Sequence, residues 1–104
     1  MTIPRLASTE RLILSRLTQH GQEFALRLAD RSGGALKRGT VYITLQRMES
    51  KGYVESRLEA EPERSMGRPR RWYRPSEYGR QVLKAWAIAE HALEQVSDAS
   101  LTGR

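Results

Sequence analysis

The stretch from Arg38 to Arg80, RGTVYITLQRMESKGYVESRLEAEPERSMGRPRRWYRPSEYGR, constrains the fold more than any other part of the chain. Val41, Leu45 and Met48 stand at i, i+4 and i+7 and predict the buried face of a helix. Thr40, Tyr42, Ile43, Gln46 and Arg47 are left on its other faces. Gly39-Thr40 opens this helix, with Thr40 of a type suited to an N-cap. Lys51-Gly52 closes it, the cation near the negative end and the glycine at the stop. Two strand candidates follow, Tyr53 to Leu58 and Arg71 to Arg74. The segment between them, EAEPERSMGRPR, carries Pro62, Gly67 and Pro69 as breakers. It is too long for a tight turn and is expected to project.

Charge concentrates on this projection. Arg64, Arg68, Arg70 and Arg71 sit among two prolines and a glycine, an extended cationic segment. Such a shape suits the narrow minor groove of A·T-rich DNA, whose negative potential attracts arginine. Gly67-Arg68-Pro69 also resembles the core of an AT-hook. The whole chain has a net charge of +6 and a pI of about 10.3. That balance favours a polyanionic partner, nucleic acid first and an acidic membrane surface second. The preceding limb is acidic, with Glu55, Glu59, Glu61 and Glu63. Two roles suit those carboxylates: pairing with the arginines of the free loop, or repelling non-specific DNA.

Around this stretch the chain reads mainly α. Residues 1–8 form a flexible arm, with Pro4 opposing an early helix and Arg5 within reach of a phosphate. Ser8 or Thr9 caps a first helix with Glu10 in its first turn, its apolar side being Leu12, Ile13, Leu14 and Leu17. It ends near His20-Gly21. A second helix spans about Gln22 to Arg31, with Phe24, Ala25, Leu28 and Ala29 inward, and stops at Ser32-Gly33-Gly34. Ala35 to Lys37 is a short link. Ser76 caps the last helix, with Glu77 in its first turn. In that helix Tyr78, Val82, Trp86, Ala89, Leu93 and Val96 recur every three or four residues. The fold class is therefore mainly α (α+β): a winged helix-turn-helix over residues 9–75 and a long C-terminal dimerisation helix over 76–98. Residues 99–104 are expected to be a disordered tail. Half of the apolar stripe can pack on so small a domain. The rest needs a partner, most simply the same helix of a second copy about a two-fold axis.

Other chemistries find little support. The 104 residues contain no cysteine, which removes disulfides, iron–sulfur sites and thiol catalysis. His20 and His91 are far apart, with no carboxylate–histidine spacing around them, so no metal is expected. No glycine-rich phosphate loop or nucleophile constellation suggests an enzyme. No cofactor is implied. No apolar run reaches membrane-spanning length, and the expected location is the cytoplasm, associated with a bacterial nucleoid.

Three segments carry a resemblance to a known family. They are GTVY (Gly39 to Tyr42), LQRMESKGYVES (Leu45 to Ser56) and GRPRRWYRPSEYGR (Gly67 to Arg80). In order and spacing, from about Leu12 to Leu83, the chain resembles the PadR family of bacterial transcriptional regulators. Two positions depart from the family pattern. Ile43 follows Tyr42 where the family usually has proline, and Ser76 follows Pro75 where it usually has threonine before the helix glutamate. The resemblance implies that Ala35 to Lys37 can pair with the wing as a third strand, and that Tyr42 contacts DNA. It also implies dimerisation through the single C-terminal helix. In some relatives aromatics of that helix line a cavity for flat hydrophobic effectors, a role that would fall on Tyr78 and Trp86.

The expected function is a homodimeric, sequence-specific DNA-binding regulator, a repressor on an inverted-repeat operator. Gln46 suits adenine and Arg47 suits guanine, whereas Thr40 and Tyr42 suit phosphate. Arg64, Arg68, Arg70 and Arg71 would serve the wing, and Val82, Trp86, Ala89, Leu93 and Val96 the dimer seam. The competing reading is a winged-helix interaction module whose basic wing binds an acidic protein.

Overall fold

The computed structural model describes the backbone of residues 2–59 and 70–102, and side chains as far as residue 96. The element order is α1 (Ser8–His20), β1 (Glu23–Phe24), α2 (Ala25–Asp30), α3 (Arg38–Ser50), β2 (Val54–Leu58), β3 (Arg71–Pro75) and α4 (Glu77–Thr102). The strands form one antiparallel sheet in the order β1-β3-β2. This is the expected winged helix-turn-helix with a long final helix.

The core is built from the predicted apolar faces. Ile13, Leu14 and Leu17 of α1, Leu28 of α2, and Val41, Leu45 and Met48 of α3 are all buried in one cluster. Tyr53, Val54 and Tyr73 close it from the sheet, and Val82 from α4. With Glu23, Glu10 is one of two buried carboxylates among the described residues. Its Oε1 accepts the Ala7 amide at 2.9 Å, and its Oε2 pairs with Lys51 Nζ at 2.7 Å. One carboxylate thus serves the first turn of α1 and the end of α3, so burial leaves its charge paired.

The third strand is not where the family resemblance placed it. Ala35 to Lys37 stay irregular, and the strand is Glu23–Phe24, within the span expected for α2. The outer edge of β3 needs partners for its amides and carbonyls. Gly21, at φ +84, turns the chain out of α1 and delivers Glu23 opposite Tyr73 and Phe24 opposite Trp72. The Phe24 and Trp72 rings then stack with centroids 3.7 Å apart. Glu23 is buried and held by Arg31 at 3.2 Å and by the Phe24 amide at 3.1 Å. Helix α2 shrinks accordingly to six residues.

Two more boundaries move. Helix α3 begins at Arg38 after Lys37, so Thr40 lies inside its first turn and does not cap it. Helix α4 runs on to Thr102, through most of the expected tail. Its start is as read: the Gly79 amide donates to Ser76 Oγ at 2.9 Å. The arm expected to hang free is tied down. Tyr53 Oη donates to the Arg5 carbonyl at 2.6 Å, and Trp86 Nε1 donates to the Pro4 carbonyl at 2.8 Å.

Candidate nucleic-acid interface

Helix α3 is held at its C-terminus and along its core face. At its C-terminus the Gly52 amide bonds the Glu49 carbonyl at 3.0 Å, and the Tyr53 amide bonds Met48 at 2.9 Å. This is the Schellman pairing, made possible by Gly52 at φ +83. The chain leaves it directly into β2, so the sheet and the helix share one corner. The opposite face of α3 is open. Thr40, Tyr42, Ile43, Gln46 and Arg47 are all exposed there, as the periodicity predicted.

The sheet flanks this face. Arg71 Nη1 donates to Ser56 Oγ at 3.0 Å, and Ser56 Oγ donates to Glu49 Oε2 at 2.6 Å. These two bonds run from β3 through β2 to the last turn of α3 and fix the wing's base beside it. Tyr73, buried at the same corner, has its hydroxyl pKa raised, first by burial and then by the Glu49 carboxylate. Tyr53 is raised likewise, mainly by burial.

Arg70 and Arg71 do different work despite being neighbours. Arg71 reaches towards Ser56, whereas the Arg70 guanidinium lies over the Phe24 ring at 4.3 Å. Arg70 Nε also stands 3.7 Å from Glu59 Oε2, an ion pair without a hydrogen bond, since that buried oxygen has no bonding partner among the described residues. Both arginines border a cleft of about 410 Å³ that also takes in Tyr42, Leu58 and Tyr73. Arg64 and Arg68 lie outside the described residues, as do Glu61 and Glu63.

Three further arginines are held by polar partners, Arg74 and Arg57 on the sheet face opposite that of Ser56 and Tyr73. Arg74 pairs with Glu55 at 2.9 Å, Arg57 bonds Gln22 at 3.3 Å, and Arg38 pairs with Asp30 at 3.5 Å. The signal for Arg74 and Glu55 was present in the register, because they stand directly opposite on β3 and β2.

The predicted dimer stripe divides in two. Val82 is buried in the domain's own core, so it cannot serve a seam. Trp86 is half-buried and spends its indole N–H on the Pro4 carbonyl. Ala89 is half-buried, while Leu93 and Val96 are each 66% exposed and Ile88 is 61% exposed. Tyr78 lines a cleft of about 260 Å³ with Ile3, Pro4, Gln81, Val82 and Ala85, and Trp86 is not among its walls. His20 and His91 are exposed. The described residues contain no group of three potential metal ligands and no helix long and apolar enough to cross a membrane.

Residues 12–85 match the model of the transcriptional regulator PadR-like family. The chain belongs to that family. A PadR-family transcription regulator from Clostridium difficile R20291 is 26% identical, with a TM-score of 0.71, and the match covers 88% of this chain and 95% of that one. A PadR-family regulator from Eggerthella lenta is 24% identical with a TM-score of 0.69, covering 90% and 81%. PadR of Bacillus subtilis, solved in complex with operator DNA, shares the fold at 17% identity and a TM-score of 0.69; the match covers 79% of this chain and 49% of that longer protein. No curated protein sequence matches. The family is one of transcriptional regulators.

Proposed function

We propose that this PadR-like protein is a sequence-specific DNA-binding repressor that grips an inverted-repeat operator as a homodimer. The observation that carries the reading is the open face of α3. Five residues of one face, Thr40, Tyr42, Ile43, Gln46 and Arg47, are exposed on a helix whose other face and C-terminus are locked into the core. A rigid helix presenting amide and guanidinium groups is what the major groove admits and what adenine and guanine edges accept. Arg70 and Arg71, with Arg64 and Arg68 on the rest of the wing, meet the backbone or the flanking minor groove. The operator complex of Bacillus subtilis PadR supports a DNA target for this fold. Leu93 and Val96, with Ile88 and Ala89 beside them, supply the seam between two copies of α4. A flat hydrophobic effector would enter at the Tyr78 cleft. The protein works in the cytoplasm, at the nucleoid.

The test is fluorescence anisotropy of the full chain against its own upstream region and a scrambled duplex, across a salt series. A preference of about tenfold or more for the native duplex supports the reading. Each phosphate contact adds about one unit to the salt slope. Gln46→Ala should lower the preference more than the overall affinity. Absence of binding even at low salt refutes the proposal and leaves the basic wing to an acidic protein partner.

A further inference from the structure

Of the aliphatic side chains on α3, Val41 and Leu45 are fully buried, yet Ile43 is 59% exposed. Its place is the middle of the open face. At about 100° per residue, Ile43 falls roughly 13° from the pole opposite the Val41–Leu45–Met48 face, and Gln46 roughly 47° from it on the other side. Gln46 and Arg47 follow Ile43 by three and four positions, so all three are neighbours on the helix surface. Ile43 and Arg47 together form the wall shared by two clefts, one of about 310 Å³ towards Thr9 and Glu10, the other of about 350 Å³ with Gln46 and Ser50.

Folding gains little from this placement. A β-branched residue is a poorer helix former than alanine, and an apolar side chain left mostly in water contributes little burial. The rest of the face bears hydrogen-bonding groups. Major-groove edges present one apolar feature among their donors and acceptors, the C5-methyl group of thymine. We infer that Ile43 reads a thymine methyl beside the bases contacted by Gln46 and Arg47, and so determines sequence preference through an apolar contact. The inference rests on the DNA-binding function proposed above and names one base that the operator contains.

The test begins by selecting preferred duplexes from a randomised pool with the full wild-type chain. Each thymine of the selected site is then replaced in turn by deoxyuridine, which removes the methyl and leaves every hydrogen-bonding group. Affinities are measured for wild type and for Ile43→Ala. One thymine per half-site should lose about fourfold in wild-type affinity on demethylation, the worth of one buried methyl. The same replacement should leave Ile43→Ala unaffected, and the variant should melt like wild type because the side chain is exposed. If a site is selected but every demethylation acts equally on both proteins, the inference is overturned while the DNA-binding function stands. If no duplex rises above the pool, the function itself fails and the inference with it.

Discussion

The Cα of Gly79 rests on the backbone carbonyl of Tyr53, so closely that a Cβ built on Gly79 would stand 2.0 Å from the Tyr53 oxygen. The same carbonyl accepts the Ser76 amide at 3.0 Å. The first turn of α4 is therefore pressed onto the corner where α3 becomes β2, and the obstacle is backbone that cannot swing aside. Gly79→Ala should destabilise the fold by about 1–3 kcal/mol or more, as overpacking does. Gly39 is the control, since a Cβ there meets nothing within 4 Å and its φ is helical. Gly39→Ala should stabilise by up to about 1 kcal/mol. Urea titrations of the two variants test the contrast; equal behaviour would refute the close approach.

Trp86→Phe keeps an aromatic ring against the core and deletes the donor to the Pro4 carbonyl. The cost should be about 1 kcal/mol, the net worth of one hydrogen bond. The arm should open more often, so trypsin should cut after Arg5 faster in the variant than in wild type. Unchanged cleavage would show that Tyr53 alone holds the arm.

Stability should fall as pH rises past about 10. Both Tyr53 and Tyr73 have raised pKa values in the fold. Between the ordinary tyrosine value and the raised ones, the unfolded chain releases protons that the native state keeps, so rising pH favours unfolding. The contribution is fully present below pH ~10 and is lost as pH climbs through the folded values. Melting temperatures measured from pH 9 to 11 should drop less steeply for Tyr53→Phe and Tyr73→Phe than for wild type. Identical slopes would remove both tyrosines from the alkaline transition.

The two halves of the α4 stripe should respond differently to a charge. Leu93→Asp, at a 66% exposed position, should give a helical protein that sediments as a monomer. Val82→Asp, at a position 3% exposed, should lose the fold itself, by several kcal/mol for an unpaired buried charge. A Leu93→Asp dimer would move the seam away from α4.

Local pattern was enough for much of this molecule. The face of α3 followed from Val41, Leu45 and Met48, because a 3.6-residue period determines both the buried and the open side. The start of α4 followed from Ser76 and its amide partner three residues on. What escaped the reading depends on non-local partners. Phe24 fits the helical spacing of Ala25, Leu28 and Ala29, and only its ladder to Trp72, far along the chain, makes it a strand residue. Val82 and Leu93 look alike in one stripe. Their separation into core and surface depends on where the rest of the domain stops. The anchoring of Pro4 and Arg5 rests on single backbone carbonyls, which no residue type advertises.

The wing's carboxylates have a consequence for how this surface meets any polyanion. Arg74 and Arg70 are already attended, by Glu55 at 2.9 Å and by Glu59 at 3.7 Å. The Arg74–Glu55 pair is solvent-facing, and such a pair is worth about 0–1 kcal/mol, so exchanging it is cheap. A phosphate taking either arginine evicts a tethered counterion that stays nearby and still repels it. On the proposed DNA-binding function, loose encounters with arbitrary duplexes would be opposed at these two arginines, and a salt titration should count fewer phosphates than there are arginines. The wing would then act as a cationic surface with a threshold, opening fully only to a ligand that the neighbouring helix also accepts.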